Sequence, residues 1–234
     1  MRPHRVDDGP RQKSDTRKRR APESTYDGGV SEEGEIVLPF PAPIERLPVA
    51  TEIRSTLIAS SLQSLKARGH WDRYIELLPA EHRDTIVHCI AGQWFPMTVG
   101  FAHYETCDKL GLTVEQQREI GEDVSRRIHE TFLSVMLQVA KGIGVTPWTV
   151  LGKGNQIFAR MAKGGGTQVR KLGPKDATVE IAGLPLLDIP YFRTATQGIY
   201  QVAIGMFAKR AHVRLLAAQS RHPGSLTTLH ASWV

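Results

Sequence analysis

The sequence predicts an α+β domain in which a helical N-terminal half packs on a small antiparallel sheet. Apolar residues recur at helical spacing from residue 50 to residue 141, and after Pro147 the pattern changes to short β-forming runs separated by turn sequences. One helical segment divides these runs, which gives the order strand–strand–helix–strand–strand. Helices and hairpins segregated in this way are typical of an α+β fold rather than a doubly wound α/β fold.

The N-terminal half is predicted to form helices at residues 50–67, 71–78, 81–91, 96–110 and 114–141. The last of these is the clearest helix in the chain, and Thr113 with Gln116 gives it a capping box at its start. Its apolar residues share one face of the helix and are Ile120, Val124, Ile128, Phe132, Val135, Met136 and Val139.

The sheet is predicted from two hairpins that flank one helix. The four strands are expected at residues 167–173, 177–182, 211–219 and 225–233. Gly173-Pro174-Lys175-Asp176 and His222-Pro223-Gly224 are the turn sequences within the two hairpins. Pro190 opens the intervening helix, which runs to Ala208. The alternation in the last two strands indicates a core on one side of the sheet only.

The first 47 residues are predicted to be a disordered, charge-segregated leader, and residues 48–234 a single α+β domain. Residues 1–20 hold eight basic and three acidic residues, whereas residues 21–45 hold six acidic and no basic ones. Large apolar residues are few before Ile36, so this stretch buries too little surface to offset the entropy cost of ordering.

The composition also bounds the cellular setting. No stretch approaches the roughly 18 consecutive apolar residues of a membrane span, and no apolar segment follows the basic start as a signal peptide would require. Cys89 and Cys107 are too few for a disulfide framework and indicate a reducing compartment. We therefore expect a cytoplasmic protein without a membrane span.

No complete catalytic or nucleotide-binding motif is found. The runs Gly152-Lys153-Gly154-Asn155 and Gly164-Gly165-Gly166 do not match the phosphate-binding loop, because the required glycine and the Lys-Ser/Thr pair are missing. There is no nucleophile elbow and no protease signature. The sequence therefore favours a protein that is not an enzyme and assigns no catalytic residue, although an enzyme with a dispersed site stays open.

His103 and Cys107 are the candidate metal ligands. They are four residues apart on a predicted helix and so share a face. A zinc site needs four contacts, and no spacing ties His88, Cys89 or His129 to this pair. We interpret the pair as a packed His and a buried Cys and predict no metal.

The charge of the chain raises the alternative of a nucleic-acid partner. The basic tail contains Arg17-Lys18-Arg19-Arg20, and a second basic group surrounds the first hairpin, namely Arg160, Lys163, Arg170, Lys171 and Lys175. No recognised nucleic-acid-binding motif accompanies these residues. An unspecialised positive surface is the preferred interpretation.

Aromatic side chains concentrate on helices and their junctions, where they usually form core. A sharper hypothesis is a pocket between helices and sheet for an apolar ligand. Trp148 and Phe192 are the predicted ligand-binding residues, because both flank junctions between segments.

Several short motifs occur in an order that resembles a paralogous family of myxobacterial proteins for which no activity is established. These motifs are Leu65-Lys66-Ala67-Arg68-Gly69, Trp94-Phe95-Pro96, Leu110-Gly111-Leu112, Gly144-Val145-Thr146-Pro147-Trp148, Gly173-Pro174-Lys175-Asp176-Ala177 and Pro190-Tyr191-Phe192-Arg193, with Trp233 near the end. The resemblance covers residues 48–234 and implies no mechanism.

The order of elements is also similar to the ligand-binding superfamily of haem–nitric-oxide sensors and vinyl-reductase-like domains. That resemblance implies a haem held by a Y-x-S-x-R motif and a proximal His. The sequence contains no Y-x-S-x-R, so no cofactor is predicted and the missing motif argues against haem. The alternative of a haem or metal sensor is kept, with His103 or His129 at a helical ligand position.

The leading hypothesis is a non-enzymatic signalling or regulatory domain that binds a small apolar ligand or a protein partner. A homodimer is compatible with the sequence. The runner-up is a nucleic-acid-binding protein that uses the basic tail and the hairpin cluster.

Overall fold

The computed structural model describes residues 34–139, 145–221 and 224–234. The helices of these ranges are α1 (Ser55–Ala67), α2 (Trp71–Leu77), α3 (Ala80–Val87), α4 (Met97–Asp108), α5 (Val114–Val139), α6 (Pro147–Leu151), α7 (Gly154–Met161) and α8 (Pro190–Gly205). Short 3-10 helices lie at Ile44–Arg46 and Pro185–Asp188. None of the helices in the described ranges is long and apolar enough to cross a membrane.

The strands are β1 (Glu35–Leu38), β2 (Glu52–Arg54), β3 (Trp94–Pro96), β4 (Ala162–Lys163), β5 (Gly166–Gly173), β6 (Asp176–Ala182), β7 (Ala211–Arg221) and β8 (Gly224–Trp233). They form a five-stranded sheet of order β1-β5-β6-β8-β7 and a three-stranded sheet of order β3-β2-β4. Every pairing within both sheets is antiparallel. The predicted α+β fold is therefore confirmed, including the strand–strand–helix–strand–strand order of β5, β6, α8, β7 and β8.

One face of the large sheet carries the core. Val169, Val179 and Leu229 lie opposite one another on β5, β6 and β8, and all three are buried. Apolar residues at every second position of these strands explain why this face turns towards the helices. β7 is an edge strand of the large sheet, and on it Leu215 is 41% exposed although the alternation predicts it in the core and it pairs with the buried Leu229.

Helices α5 and α8 cross at very short distance above this sheet. Gly121 on α5 lies against the backbone of Ala195 on α8, and Gly198 on α8 lies against the backbone of Arg118 on α5. Only a residue without a Cβ atom permits this approach. The predicted capping box at the start of α5 is present, with Thr113 N–H donating to Gln116 Oε1 over 2.9 Å and Gln116 N–H to Thr113 Oγ1 over 3.2 Å.

Regular secondary structure is present before residue 48, within the segment predicted as the leader. β1 and the 3-10 helix Ile44–Arg46 both lie within the segment assigned to the leader, and β1 forms the outer strand of the large sheet beside β5. Residues Glu33–Val234 form one compact unit. Ile36, Val37 and Leu38 supply the β-forming residues, which the acidic composition around them concealed.

Some predicted boundaries also differ. α1 begins at Ser55 instead of residue 50, because residues 52–54 pair with β3 and β4 as the central strand of the small sheet. α3 ends at Val87 instead of residue 91. The turn predicted at His222-Pro223-Gly224 and the end of the helix predicted beyond Val139 lie outside the described residues, as do the side chains of His129 and of the later apolar residues of α5.

Candidate functional site

A central cavity lies between the α5–α8 pair, α7 and the inner face of the large sheet. Its volume is about 150 Å³. The described lining consists of Leu57, Ser125, Ile128, Val150, Leu151, Gly154, Ile157, Phe158, Met161, Thr167, Val169, Val179, Ile181, Leu184, Phe192, Thr196, Ile199, Tyr200, Ala203, Ile204, Met206 and Phe207. None of these side chains carries a charge, so the cavity suits a neutral, mostly apolar molecule.

Helix α7 forms one wall of the central cavity without being buried itself. All of its residues keep some exposure to solvent, although Ile157, Phe158 and Met161 line the cavity. An amphipathic helix of eight residues normally buries its apolar face against a core. Here Phe158 and Met161 pack against the edge of the core and also line the cavity with Ile157, so an occupant would bury more of this apolar face.

Asn155 fixes the start of α7 to two strands. Its Nδ2 donates to the carbonyl oxygen of Pro39 over 2.8 Å, and its Oδ1 accepts a hydrogen bond from Thr167 N–H over 2.8 Å. One amide thereby joins α7 to β5 and to the segment that follows β1. No motif in the sequence indicates this role, because Gly152-Lys153-Gly154-Asn155 is typical of a loop.

The described lining has few polar groups, and they differ in whether they have a hydrogen-bond partner. Ser125 Oγ donates to the Ile199 carbonyl over 3.0 Å, and Thr196 Oγ1 donates to the Phe192 carbonyl over 2.8 Å. Thr167 Oγ1 is buried and has no hydrogen-bond partner of normal geometry. The Tyr200 side chain also faces the cavity, where burial raises its pKa and the neighbouring Thr167 side chain lowers it to a smaller extent.

The two predicted ligand-binding residues lie in different surroundings. Phe192 lines the central cavity, and its ring meets the Tyr104 ring edge-on with the centroids 4.5 Å apart. Trp148 packs edge-on against Trp233 at 4.9 Å and donates its indole N–H to the Pro174 carbonyl over 2.8 Å. Trp148 is thus not among the lining residues, whereas Phe192 remains a predicted ligand contact.

The candidate metal pair belongs to a buried aromatic cluster in the helical half. His103 Nδ1 lies 2.7 Å from the Tyr74 hydroxyl, and its Nε2 lies 3.8 Å from Cys107 Sγ. Burial lowers the pKa of His103 to about 3 and raises the pKa of the Cys107 thiol. Within the described part of the chain, no third His, Cys, Asp or Glu joins this pair.

The basic residues around the first hairpin are engaged locally. Lys163 forms an ion pair with Glu52, and Arg170 donates to the Gly34 carbonyl over 3.1 Å. The Lys171 ammonium lies 5.6 Å from the centre of the Trp148 ring. Such contacts within the chain are consistent with an unspecialised positive surface. The basic run at residues 17–20 lies outside the described ranges.

The fold is that of H-NOX domains. An oxygen-binding H-NOX domain related to soluble guanylate cyclases superposes with a TM-score of 0.54 at 11% identity, over 77% of this chain and 95% of that chain. An H-NOX domain used to probe haem distortion gives 0.55 at 10% identity, over 77% and 95%. One from a study of H-NOX activation gives 0.52 at 13% identity, over 77% and 96%. No protein-family model and no curated protein matches the chain.

These likenesses confirm the distant resemblance to the haem–nitric-oxide-sensor superfamily at the level of fold. The cofactor prediction, by contrast, is wrong. We expected no cofactor and argued against haem from the missing Y-x-S-x-R, but solved structures of this fold include domains studied for their haem distortion and haem redox potential. The loss of one short motif therefore does not remove haem from the candidate ligands.

The lining offers donor atoms of the kinds that bind haem iron. Tyrosine oxygen and methionine sulfur both serve as axial ligands in haem proteins, and Tyr200, Met161 and Met206 all line the cavity. The apolar lining also matches the polarity of a porphyrin face. The volume in this conformation is that of a smaller molecule, so a haem requires the walls to separate.

Most of the cavity could not be found from the sequence. Phe192 is predicted because it flanks a junction between segments, but Thr167 and Tyr200 carry no motif, and the sequence analysis predicts no helix at residues 154–161. The only sequence signal for Thr167 is a hydroxyl on the inner face of a strand whose next inner residue is Val169.

Proposed function

We propose that this domain is a ligand-binding sensor whose site is the central cavity, and that it responds to occupancy without catalysing a reaction. The observation that supports this most directly is an uncharged cavity roofed by a helix with no buried residue. An occupant would cover the inner face of α7 and so couple ligand binding to the position of that helix. The H-NOX fold, found in sensing domains, agrees with this proposal.

The preferred occupant is a small apolar molecule. A cavity of about 150 Å³ in a protein interior takes a ligand of about the size of benzene. Haem is the second candidate, favoured by the haem domains of the same fold. It would supply an iron that binds a diatomic gas, and Tyr200, Met161 and Met206 are the described side chains able to hold that iron.

The experiment is native mass spectrometry of the purified full chain, followed by denaturation and analysis of what is released. We expect a mass above that of the 26.0 kDa chain that disappears on denaturation. An absorption spectrum of the same sample separates the two candidates, because only haem gives a strong Soret band.

Two variants locate the occupant. Ala203→Leu fills the cavity from α8 and should abolish the added mass. Thr194→Leu adds the same side chain to the same helix at a residue outside the lining and should leave the added mass unchanged. A bound molecule that persists in Ala203→Leu would place its site elsewhere and contradict the proposal.

A further inference from the structure

Within the described lining of the central cavity, one buried hydroxyl has no hydrogen-bond partner of normal geometry. Thr167 is fully buried at the start of β5, and its Oγ1 has no hydrogen-bond partner of normal geometry. Buried hydroxyl groups in native proteins are nearly always bonded. An unsatisfied one costs folding free energy and therefore calls for an explanation.

The other serine and threonine hydroxyls of the described lining have hydrogen-bond partners within the protein. Ser125 and Thr196 each donate to a carbonyl oxygen of α8, so neither needs a ligand. Tyr200 also lines the cavity, and the Thr167 side chain is near enough to lower the pKa of Tyr200. Thr167 and Tyr200 thus form a polar corner of the described lining, in which the hydroxyls of Ser125 and Thr196 are already bonded.

The backbone keeps this corner in place. Thr167 N–H is held by Asn155 Oδ1 at 2.8 Å, and Thr167 is paired with Ile181 on β6. Its methyl group faces Gly154, where an added Cβ atom would lie only 2.9 Å from Thr167 Cγ2. The close approach of Gly154 fixes the methyl group and with it the direction of the hydroxyl.

We propose that the ligand of the central cavity is a small neutral ring compound or similar apolar molecule with one hydroxyl group, and that Thr167 and Tyr200 form the subsite for that hydroxyl. The uncharged walls disfavour a carboxylate or an amine, because a buried charge without a partner is costly. This inference rests on the proposed function, since it names the chemistry of the same site.

The test compares benzene and phenol as probes of the full chain by calorimetric titration. Both fit the volume, and they differ by one hydroxyl. We expect phenol to bind about tenfold more tightly than benzene, as one additional hydrogen bond in an apolar site predicts. Benzoate, of similar size but charged, should not bind.

Thr167→Val then removes the hydroxyl with little change of shape. We expect the phenol preference to disappear while benzene binding is retained. Thr227→Val is the matched control, because Thr227 is also fully buried with an unpartnered Oγ1, in the same sheet but outside the cavity lining. It should leave the preference intact. Tyr200→Phe gives an independent measure of the same subsite and should weaken phenol more than benzene.

The outcomes separate the two proposals. Equal binding of benzene and phenol to the wild type, as when a water molecule satisfies Thr167, would refute the hydroxyl subsite and leave the ligand cavity standing. A phenol preference that survives both Thr167→Val and Tyr200→Phe would do the same. If no probe binds and Ala203→Leu changes nothing in native mass spectra, the sensor proposal itself fails.

Discussion

Replacing Gly198 by Ala tests whether the close crossing of α5 and α8 organises the fold. An added Cβ atom would lie 2.2 Å from the Arg118 carbonyl oxygen and 3.0 Å from the Glu122 nitrogen. A carbon–oxygen contact normally needs about 3.3 Å, so the two helices must separate by about 1 Å. Both obstructing atoms belong to the backbone, and no side-chain rotation relieves the clash.

The magnitude follows from two opposing effects. Overpacking of this kind costs about 1–3 kcal/mol, and we take the upper end because the crossing joins the two longest helices of the described chain. Alanine recovers about 1 kcal/mol through its better helix propensity. The net loss in the free energy of unfolding is about 2 kcal/mol, which lowers the melting temperature by roughly 4–8 °C for a chain of this size.

Gly205→Ala is the control in the same helix. The nearest neighbour of its added Cβ atom is the Ala211 Cβ at 3.7 Å, an ordinary contact. This variant should therefore gain up to about 1 kcal/mol and melt slightly higher than the wild type. Circular dichroism melts of the three proteins decide the matter. Equal melting temperatures for Gly198→Ala and Gly205→Ala would show that the crossing is not rigid.

Other expectations concern the buried histidine, the amide at the start of α7 and one glycine. Burial holds the pKa of His103 at about 3, below its unfolded value of about 6.5. The unfolded chain therefore takes up a proton at His103 below pH 6.5 while the folded chain does not. Below that pH the free energy of unfolding should fall by about 1.4 kcal/mol per pH unit. His103→Gln should flatten this acid limb of a urea-unfolding series, and an unchanged slope would contradict the assignment. Asn155→Ala leaves Thr167 N–H unpaired and should lower the free energy of unfolding by about 1–3 kcal/mol. Amide hydrogen exchange in β1 should also become faster. Unaltered exchange there would mean that Asn155 does not stabilise the strand. Gly165 has φ +71°, and an added Cβ would lie 2.8 Å from the Ala182 carbonyl oxygen. Gly165→Ala should therefore lower the free energy of unfolding by at least about 1 kcal/mol in the same urea assay. An unchanged free energy of unfolding would contradict this close approach.

The sequence predicted those elements whose burial follows a regular period. α5 shows an apolar residue every three or four positions, and its Ile120, Val124 and Ile128 are buried as expected. Alternation predicts the strand β8, and its Leu229 and Ala231 are fully buried. These segments are long enough for a pattern to repeat, and one face of each contacts the core.

The remaining elements could not be predicted from the sequence. They are too short to show a repeating pattern, or they depend on contacts with residues far away in the chain. β2, β3 and β4 have two or three residues each, which is less than one repeat of any pattern. β1 lies among acidic residues in the sequence, and it is stabilised by antiparallel pairing with β5. α7 carries no buried residue, and its apolar side chains contact a core edge and a cavity that several distant segments form.

The position of β1 has a consequence for any shortened form of the protein. A cut at residue 48, where composition suggests that the domain starts, would remove the outer strand and leave the β5 edge with unpaired N–H and C=O groups. Exposed edges of this kind template pairing with other chains. The truncated protein would then associate edge to edge through β5, and oligomers measured on it would reflect the missing strand instead of a native assembly.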